Sequence, residues 1–273
     1  MSRKGTALTL VPPIASLPVR RPAPPPATAL QSRHPLDKLQ EFLLVAPVLL
    51  FSMVAHEFAH GYAALKQGDP TAFQLGRLTW NPLKHIDPFF TILLPVITFF
   101  TGGFIFGGAK PVPVTPRNYR NYRRGDIIVS LAGIASNLAI AVACVAITAA
   151  IGWTARAVPS LATTASLLQR MAMFGVLFNL VLAVFNLLPL PPLDGSHVVK
   201  YLLPPAWAIR YQQVGMYGIF ILVFMLMTKV GGVVLSFWMT PVIRGYEIVL
   251  RSVYDLLVPS PISSLYLQRI LGF

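Results

Sequence analysis

The feature that most limits what this chain can fold into is a set of long stretches without charged side chains. One of them, Ile127–Ala155, exceeds the roughly 20 residues that a helix needs to cross a bilayer. Hydrophobic residues make up 55% of the 273 residues and charged residues only 11%, whereas a soluble domain carries about 25% charged residues. A water-soluble fold cannot bury so much apolar surface. The sequence therefore predicts an integral membrane protein.

Several apolar segments predict an all-α polytopic membrane protein with about four to six membrane helices. The segments lie at residues 39–65, 127–155, 167–188, 211–228 and 233–243. Residues 72–80 have the pattern of a short strand. Pro88–Ala109 is uncharged but interrupted by Pro95 and by four glycines. This segment is predicted to be a short re-entrant or β-like element rather than a full crossing.

The composition along the chain divides it into three parts. Residues 1–36 are rich in proline without a sustained apolar period, which predicts a disordered tail. Residues 37–239 form the membrane-embedded domain. Residues 240–273 are predicted to be an amphipathic interfacial helix, because one helical face of this segment is apolar. The residues on that face are Tyr246, Leu250, Val253 and Leu257.

The formal net charge is +13, from 22 Lys and Arg against 9 Asp and Glu. We attribute the basic excess to loops beside the anionic lipid bilayer rather than to nucleic acid, because no nucleic-acid-binding module is recognisable. Among the acidic residues, Glu57 and Asp194 are embedded in long apolar surroundings. An ionisable group at membrane depth is costly, so these two residues are candidate functional groups.

Glu57 belongs to an H-E-x-x-H motif, His56-Glu57-Phe58-Ala59-His60. A spacing of four residues places His56 and His60 on one helical face, where both imidazoles can reach one metal ion. Zn²⁺ accepts two imidazoles and a carboxylate, and Glu57 is then the general base. The alternative is two packed histidines and a Glu paired with Arg or Lys. Within an apolar helix that alternative must provide partners for three polar groups without a metal.

A third ligand must come from elsewhere in the chain, and Asp194 is the acid with suitable surroundings. Prolines before it end the preceding helix, and Gly195 permits a tight backbone that turns the carboxylate inward. A simple helix-ending turn at the membrane interface is equally compatible with this stretch.

The H-E-x-x-H motif together with Asn186–Gly195 resembles the site-2 protease family of intramembrane zinc metalloproteases. The second stretch fits the family pattern N-x-x-P-x-P-x-L-D-G at every defined position. Gly76–Pro88 and Gly108–Val114 resemble small bacterial members that lack PDZ and CBS domains. The resemblance covers about residues 45–205.

The resemblance implies that His56, His60 and Asp194 bind zinc and that Glu57 is the catalytic base. It also implies that the substrates are transmembrane segments of other proteins. Asn137 and Asn186 are candidates for binding the substrate backbone or the developing oxyanion. An interhelical hydrogen bond is the alternative for each. Ile134 replaces a proline that the family has before Asn137, which puts the local helix shape in doubt.

A shared metal ion constrains the topology. His60 and Asp194 each lie near the C-terminal end of a helix, so the two helices must run in the same direction. Of the two apolar segments between them, one therefore does not cross, and we expect this to be Pro88–Ala109. The loops at the active-site end are then strongly basic, which places the site towards the cytoplasmic face of a bacterial inner membrane. The basic residues are Lys66, Arg77, Lys84, Lys110, Arg117, Arg120, Arg123 and Arg124, against Arg156 alone in the opposite loop at 152–167.

The primary hypothesis is thus a zinc endopeptidase that cleaves transmembrane protein substrates in the lipid bilayer. A metal-binding membrane scaffold without proteolytic activity is the main alternative, although a scaffold has no need of Glu57. A metal transporter would require polar ligands staged along a path. The substrate, the cleavage site and the oligomeric state stay open.

Overall fold

The computed structural model describes residues 35–102 and 105–257 of the chain. The all-helical architecture predicted above is confirmed, and the described residues contain no strand. The α-helices are α1 (Pro35–Gln67), α2 (Thr71–Gln74), α3 (Leu94–Gly102), α4 (Tyr122–Ala157), α5 (Ala162–Asn186), α6 (Asp194–Val199), α7 (Pro205–Gln213), α8 (Gly218–Met227) and α9 (Lys229–Leu257).

Three helical segments are long and apolar enough to cross a membrane: Lys38–Gln67, Tyr122–Ala157 and Pro159–Asn186. They correspond to α1, α4 and α5, and they account for three of the four to six membrane helices that the sequence predicts. Each satisfies its backbone hydrogen bonds internally, which is what a lipid environment requires.

Helices α4 and α5 pack against each other in opposite directions. Asn137 near the middle of α4 donates to Asn179 on α5 at 2.7 Å, and Gln169 earlier on α5 donates to the Thr148 carbonyl later on α4 at 3.1 Å. Small residues allow this close approach, as is usual between membrane helices.

Helix α1 is also antiparallel to α4. His60 near the end of α1 contacts the Val129 carbonyl near the start of α4, and Ser52 earlier on α1 lies beside Asn137. Because both α1 and α5 are antiparallel to α4, they run in the same direction, as the shared-metal argument requires.

The prediction of a strand-like run at residues 72–80 is wrong. The chain forms the short helix α2 and then turns at Gly76, whose φ of +61° lies in the left-handed region that favours glycine. The amides of Arg77 and Leu78 both donate to the Ala72 carbonyl. Local hydrogen bonds therefore satisfy this backbone, and alternation of side chains alone does not provide a neighbouring strand to pair with.

The segment after Pro88 forms a π-helical turn and then α3, and its far end returns to its beginning. The amide of Gly108 donates to the Phe90 carbonyl at 2.9 Å, and the amide of Lys110 donates to the His85 carbonyl at 2.8 Å. The two ends of the segment are thus adjacent. Its insertion into the bilayer as a re-entrant element stays a prediction.

A buried carboxylate joins the loop after α1 to the loop before α4. Asp69 accepts hydrogen bonds from Thr71, from the amide of Thr115 and from the side chain of Asn118. Burial opposes ionisation of Asp69, but these donors outweigh burial and hold its pKa below the ordinary value. We refer to these four residues as the Asp69 cluster.

Both predicted domain boundaries can be compared with the described residues. Residues 1–34 of the predicted tail lie outside the described residues, and residues 35–36 begin α1. The predicted boundary between residues 239 and 240 falls inside α9, which continues from Lys229 to Leu257. Residues 258–273 of the predicted interfacial helix lie outside the described part of the chain.

Candidate metal centre

The structure brings the three predicted metal ligands together at the end of the α1–α4–α5 bundle. The Nε2 atoms of His56 and His60 are 2.9 Å apart. Asp194 Oδ2 lies 3.2 Å from the first and 3.3 Å from the second. Residues that are far apart in the chain thus form one compact His-His-Asp group.

A chain of hydrogen bonds through the bundle determines which ring nitrogen of a neutral His56 carries the proton. The Gly175 carbonyl can only accept, so the Asn179 side-chain nitrogen must face it and the Asn179 oxygen must face Asn137. Asn137 therefore donates to Asn179 and presents its own oxygen to His56 Nδ1, at 2.5 Å. An amide oxygen only accepts, so His56 Nδ1 carries a proton, and in the neutral imidazole Nε2 then carries the lone pair.

His60 is oriented in the same way by backbone. Its Nδ1 lies 2.7 Å from the Val129 carbonyl, which can only accept, so a neutral His60 also has its lone pair on Nε2. Asp194 Oδ2 is buried and accepts no hydrogen bond from the described residues. With both imidazoles neutral, three electron-rich atoms face one another, which is unfavourable unless a cation lies between them.

The donor set and its spacing fit zinc. Zinc–ligand distances of 2.0–2.2 Å place the ligand atoms of a tetrahedral site about 3.3–3.6 Å apart. The two separations to Asp194, 3.2 and 3.3 Å, are close to this range, and the two imidazoles are slightly closer together at 2.9 Å. Both imidazoles are also held through their second nitrogen, as metal-binding histidines generally are.

Gly133 on α4 leaves the space that the two imidazoles occupy. A Cβ atom at this position would lie 2.5 Å from His56 Cε1 and 2.5 Å from His60 Nε2. Any side chain here would displace the histidines. The requirement for glycine was not recognised from the sequence, although Gly133 belongs to the stretch that resembles the family pattern.

Asp194 is the first residue of the short helix α6, directly after the proline-containing turn that ends α5. Gly195 is buried, and a Cβ atom there would overlap the backbone carbonyl of Leu187. The absence of a side chain lets α6 pack back onto the end of α5. This packing turns the Asp194 carboxylate towards the histidines, which is one of the two arrangements that the sequence left open.

Glu57 lies one residue from His56 and is half-buried beside the same site. Its Oε2 accepts a hydrogen bond from the backbone amide of Val112 at 2.7 Å. Arg77 donates to the carbonyls of Lys110 and Pro111, which holds the segment that carries this amide. No sequence pattern indicates this contact, because a backbone donor is independent of residue type.

The structure separates the two asparagines that were tentative substrate-binding residues. Asn137 is fully buried and uses its side chain in hydrogen bonds to His56 and Asn179. It forms the interhelical bonds that were the alternative, so its side chain is engaged inside the bundle, and a substrate role for it stays a prediction. Asn186 donates within its own helix to Leu182 and lines the cavity described next, so its substrate role stays a prediction.

A cavity of about 270 Å³ adjoins His56 and Glu57. It lies between α1, α5 and the segment at residues 105–109, and its lining is mainly apolar. The apolar side chains around it include Leu49, Met53, Phe90, Phe178, Val181, Leu182, Phe185, Leu193 and Leu222. The candidate metal centre is therefore open to a ligand that is itself largely apolar.

A His-His-Asp group beside a glutamate, at the end of a bundle of helices able to span a membrane, defines a membrane-embedded zinc metallopeptidase. The sequence profile of Peptidase family M50 matches residues 155–228, which include Asp194. YwhC of Bacillus subtilis is 38% identical over 74% of this chain and 87% of its own length. Rip2 of Mycolicibacterium smegmatis is 34% identical over 73% of each chain. Both names provisionally describe zinc metalloproteases. No solved structure matches the chain significantly.

The chain belongs to peptidase family M50, the site-2 protease family that the motifs predicted. It is a zinc metalloprotease, and the fit of the His-His-Asp group to zinc agrees with that membership.

Proposed function

We propose that this protein hydrolyses peptide bonds within or near the transmembrane segments of other membrane proteins. The observation that carries the proposal is the apolar cavity, because it lies beside His56 and Glu57 and is built from membrane helices. An apolar transmembrane segment is the substrate class that such a cavity fits. A polar peptide would leave its side chains without hydrogen-bond partners there.

In the proposed reaction His56, His60 and Asp194 hold the zinc ion. When bound, zinc polarises the scissile carbonyl and makes the attacking water more acidic. Glu57 accepts a proton from that water as the new C–O bond forms. It then delivers the proton to the leaving amine as the C–N bond breaks.

The Val112 amide supports this role of Glu57. Its hydrogen bond of 2.7 Å fixes one carboxylate oxygen of Glu57 and leaves the other available for the proton. Asn186 also lines the cavity. We assign its side chain to binding the substrate backbone, either through the amide oxygen or, once the side chain reorients, through the amide nitrogen.

The segment at residues 107–110 offers an edge for an unwound substrate. Gly108 and Lys110 bond to Phe90 and His85 on one side. Gly107 and Ala109 alternate with them, line the cavity, and form no backbone hydrogen bond with the described residues. An extended peptide can pair with such free groups by β-augmentation. Pairing would stabilise a substrate whose helical hydrogen bonds have opened.

For the location we propose a bacterial inner membrane with the active site towards the cytoplasm. Basic side chains at the active-site end are exposed, including Lys66, Arg120, Arg123 and Arg124. Asp69 and Asp126 at the same end are buried and paired. The exposed surface is therefore basic, in agreement with the positive-inside rule.

Membership of a metalloprotease family favours the enzyme over the metal-binding scaffold. A scaffold also gives no reason for a glutamate held beside an apolar cavity.

The proposal is tested with purified full-length protein in detergent, a panel of single-span membrane substrates and the variant Glu57→Gln. We expect the wild type to cleave, the variant not to cleave, and both to contain about one zinc ion. Zinc in both with no cleavage of any substrate would contradict the proposed reaction.

Glu41→Gln is the matched control, because Glu41 lies on the same helix about four turns before Glu57. Cleavage by this control together with loss in Glu57→Gln would assign the effect to the active site. Equal loss in both variants would point to general damage to α1.

A further inference from the structure

Three side chains that directly follow Asp194 converge on one buried carboxylate of α4. Lys200 Nζ lies 2.5 Å from Asp126 Oδ2, and the Tyr201 hydroxyl donates to the same oxygen at 2.9 Å. His197 Nδ1 lies 3.2 Å from Asp126 Oδ1. Asp126 and Lys200 are both almost fully buried. We refer to these four residues as the Asp126 cluster.

The segment that the Asp126 cluster holds is the one that carries Asp194. Helix α6 has six residues, and a helix this short does not persist without tertiary contacts. Asp194, His197 and Tyr201 are spaced by three and four residues, so they lie on one side of this segment. The same side therefore carries a carboxylate towards the histidines and two donors towards Asp126.

Helix α4 also contacts both histidines. The Val129 carbonyl fixes His60, and the Asn137 side chain fixes His56. Asp126, Val129 and Asn137 follow one another along a single face of α4. Helix α4 thus fixes the positions of all three side chains of the His-His-Asp group. It contacts the two histidines directly and holds Asp194 in place through Asp126.

We propose that Asp126 is a positioning residue that sets the Asp194 carboxylate at zinc-binding distance by holding α6 against α4. This inference rests on the proposed role of Asp194 as a zinc ligand. Asp126 itself does not touch the His-His-Asp group.

The Asp126 cluster can fix the position of α6 without adding much stability. Buried ion pairs often add little net stability, because desolvation of both charges offsets their attraction. Their geometry can nevertheless fix how two elements are placed. Burial raises the pKa of the Tyr201 phenol, and its bond to Asp126 raises this pKa further, so Tyr201 stays a donor.

The test compares zinc affinity in full-length protein, measured by competition with a chromogenic chelator. Asp126→Asn keeps the size of the side chain but removes the charge that Lys200 and His197 face. We expect its zinc dissociation constant to rise by about 10-fold, the low end of the effect of losing a group that contacts a ligand directly, because Asp126 acts on Asp194 only through α6.

Asp69→Asn is the matched control. Asp69 is a buried, hydrogen-bonded aspartate at the same end of the molecule, and its partners lie in α2 and in the segment before α4 rather than in α6. We expect this control to lose some stability but to keep the wild-type zinc affinity. An unchanged affinity in Asp126→Asn, or an equal loss in both variants, would overturn the proposal.

Tyr201→Phe covers the case in which Asp126→Asn does not fold, because it removes one hydrogen bond and keeps the ion pair. Its zinc affinity should fall by a few-fold, together with a changed visible spectrum of the Co²⁺-substituted protein. Wild-type affinity and spectrum in Tyr201→Phe would then count against the proposal.

Zinc affinity and cleavage separate the two proposals. A wild type that binds zinc but cleaves no substrate would contradict the proposed reaction and leave the affinity comparison decisive for Asp126. A wild type that binds no zinc would overturn both.

Discussion

At the scale of single residues, the site depends on side chains that do not themselves bind metal. His56 and His60 each present one nitrogen to the site because the other nitrogen is held by Asn137 or by the Val129 carbonyl. Gly133 contributes by having no side chain. Helix α4 therefore provides both the partners that orient the two imidazoles and the space that the imidazoles occupy. Both contributions can be tested by substitution.

Gly133→Ala is expected to lower zinc affinity by at least about tenfold, because its Cβ atom would overlap both imidazoles and change the placement of the ligands. The measurement is the zinc dissociation constant by chelator competition. Gly245→Ala is the control, since a Cβ atom at Gly245 meets no described atom within 4 Å. Equal affinity in Gly133→Ala and wild type would contradict the close packing of α4 against the histidines.

The two asparagines should respond in opposite ways to substitution by leucine. Asn137→Leu leaves the His56 Nδ1–H and the Asn179 oxygen without partners, so we expect a loss of about 1–3 kcal/mol in the free energy of unfolding. Zinc affinity should fall by about 10- to 100-fold. Asn186→Leu should keep zinc affinity and lower cleavage. The opposite pattern, with zinc lost in Asn186→Leu alone, would show that the two assignments are exchanged.

The sequence predicted which three side chains lie together better than it predicted what surrounds them, for a physical reason. A helical spacing of four residues fixes His56 and His60 on one face whatever the rest of the chain does. The partner of Asn137 depends on how α1, α4 and α5 rotate against one another, and hydropathy does not encode that rotation. The burial of Asp126 by α4 depends on the same packing, and hydropathy does not indicate it either.

At the scale of elements, residues 105–115 form the segment whose contacts the sequence predicted least. Hydrophobic runs predicted α1, α4 and α5, because a long uncharged run has few alternatives to a membrane helix. The glycines and prolines of residues 102–113 predicted irregular backbone but not its partners. Those partners include Phe90, His85 and Glu57, which are far away in the sequence.

Val112→Pro tests whether this segment holds Glu57, the proposed catalytic base. It removes the amide that donates to Glu57, and a hydrogen bond to a charged group is worth about 1.5–3 kcal/mol. Cleavage should therefore fall by about 10- to 100-fold, with unchanged zinc content. Steady-state cleavage of one fluorogenic membrane substrate provides the measurement.

Val114→Pro is the matched control for that prediction. Val114 also follows a proline in the same segment, and its amide bonds to no described residue. We expect near wild-type cleavage from this variant. A similar loss in both variants would mean that the segment tolerates no proline, and the Val112 amide would lose its assigned role.

At the scale of the whole molecule, the parallel course of α1 and α5 determines which loops share a side of the membrane. Both helices end at the metal centre, so the loops after them emerge at the same end. Among the described residues, the single complete crossing between them is α4. The loop between α4 and α5, around Pro159–Leu161, must then emerge at the opposite end.

This topology predicts opposite labelling of two single cysteines placed in a Cys144→Ser background. Arg120 and Ser160 are both exposed, and they lie at opposite ends of α4. With the active site towards the cytoplasm, an impermeant maleimide added to intact spheroplasts should label Ser160→Cys at once. It should label Arg120→Cys only after the membrane is opened, because the basic loops are retained on the cytoplasmic side.

The reverse pattern would place the active site on the outer side and overturn the proposed orientation, while leaving the parallel course of α1 and α5 intact. Labelling of both cysteines from outside would contradict the crossing by α4 itself.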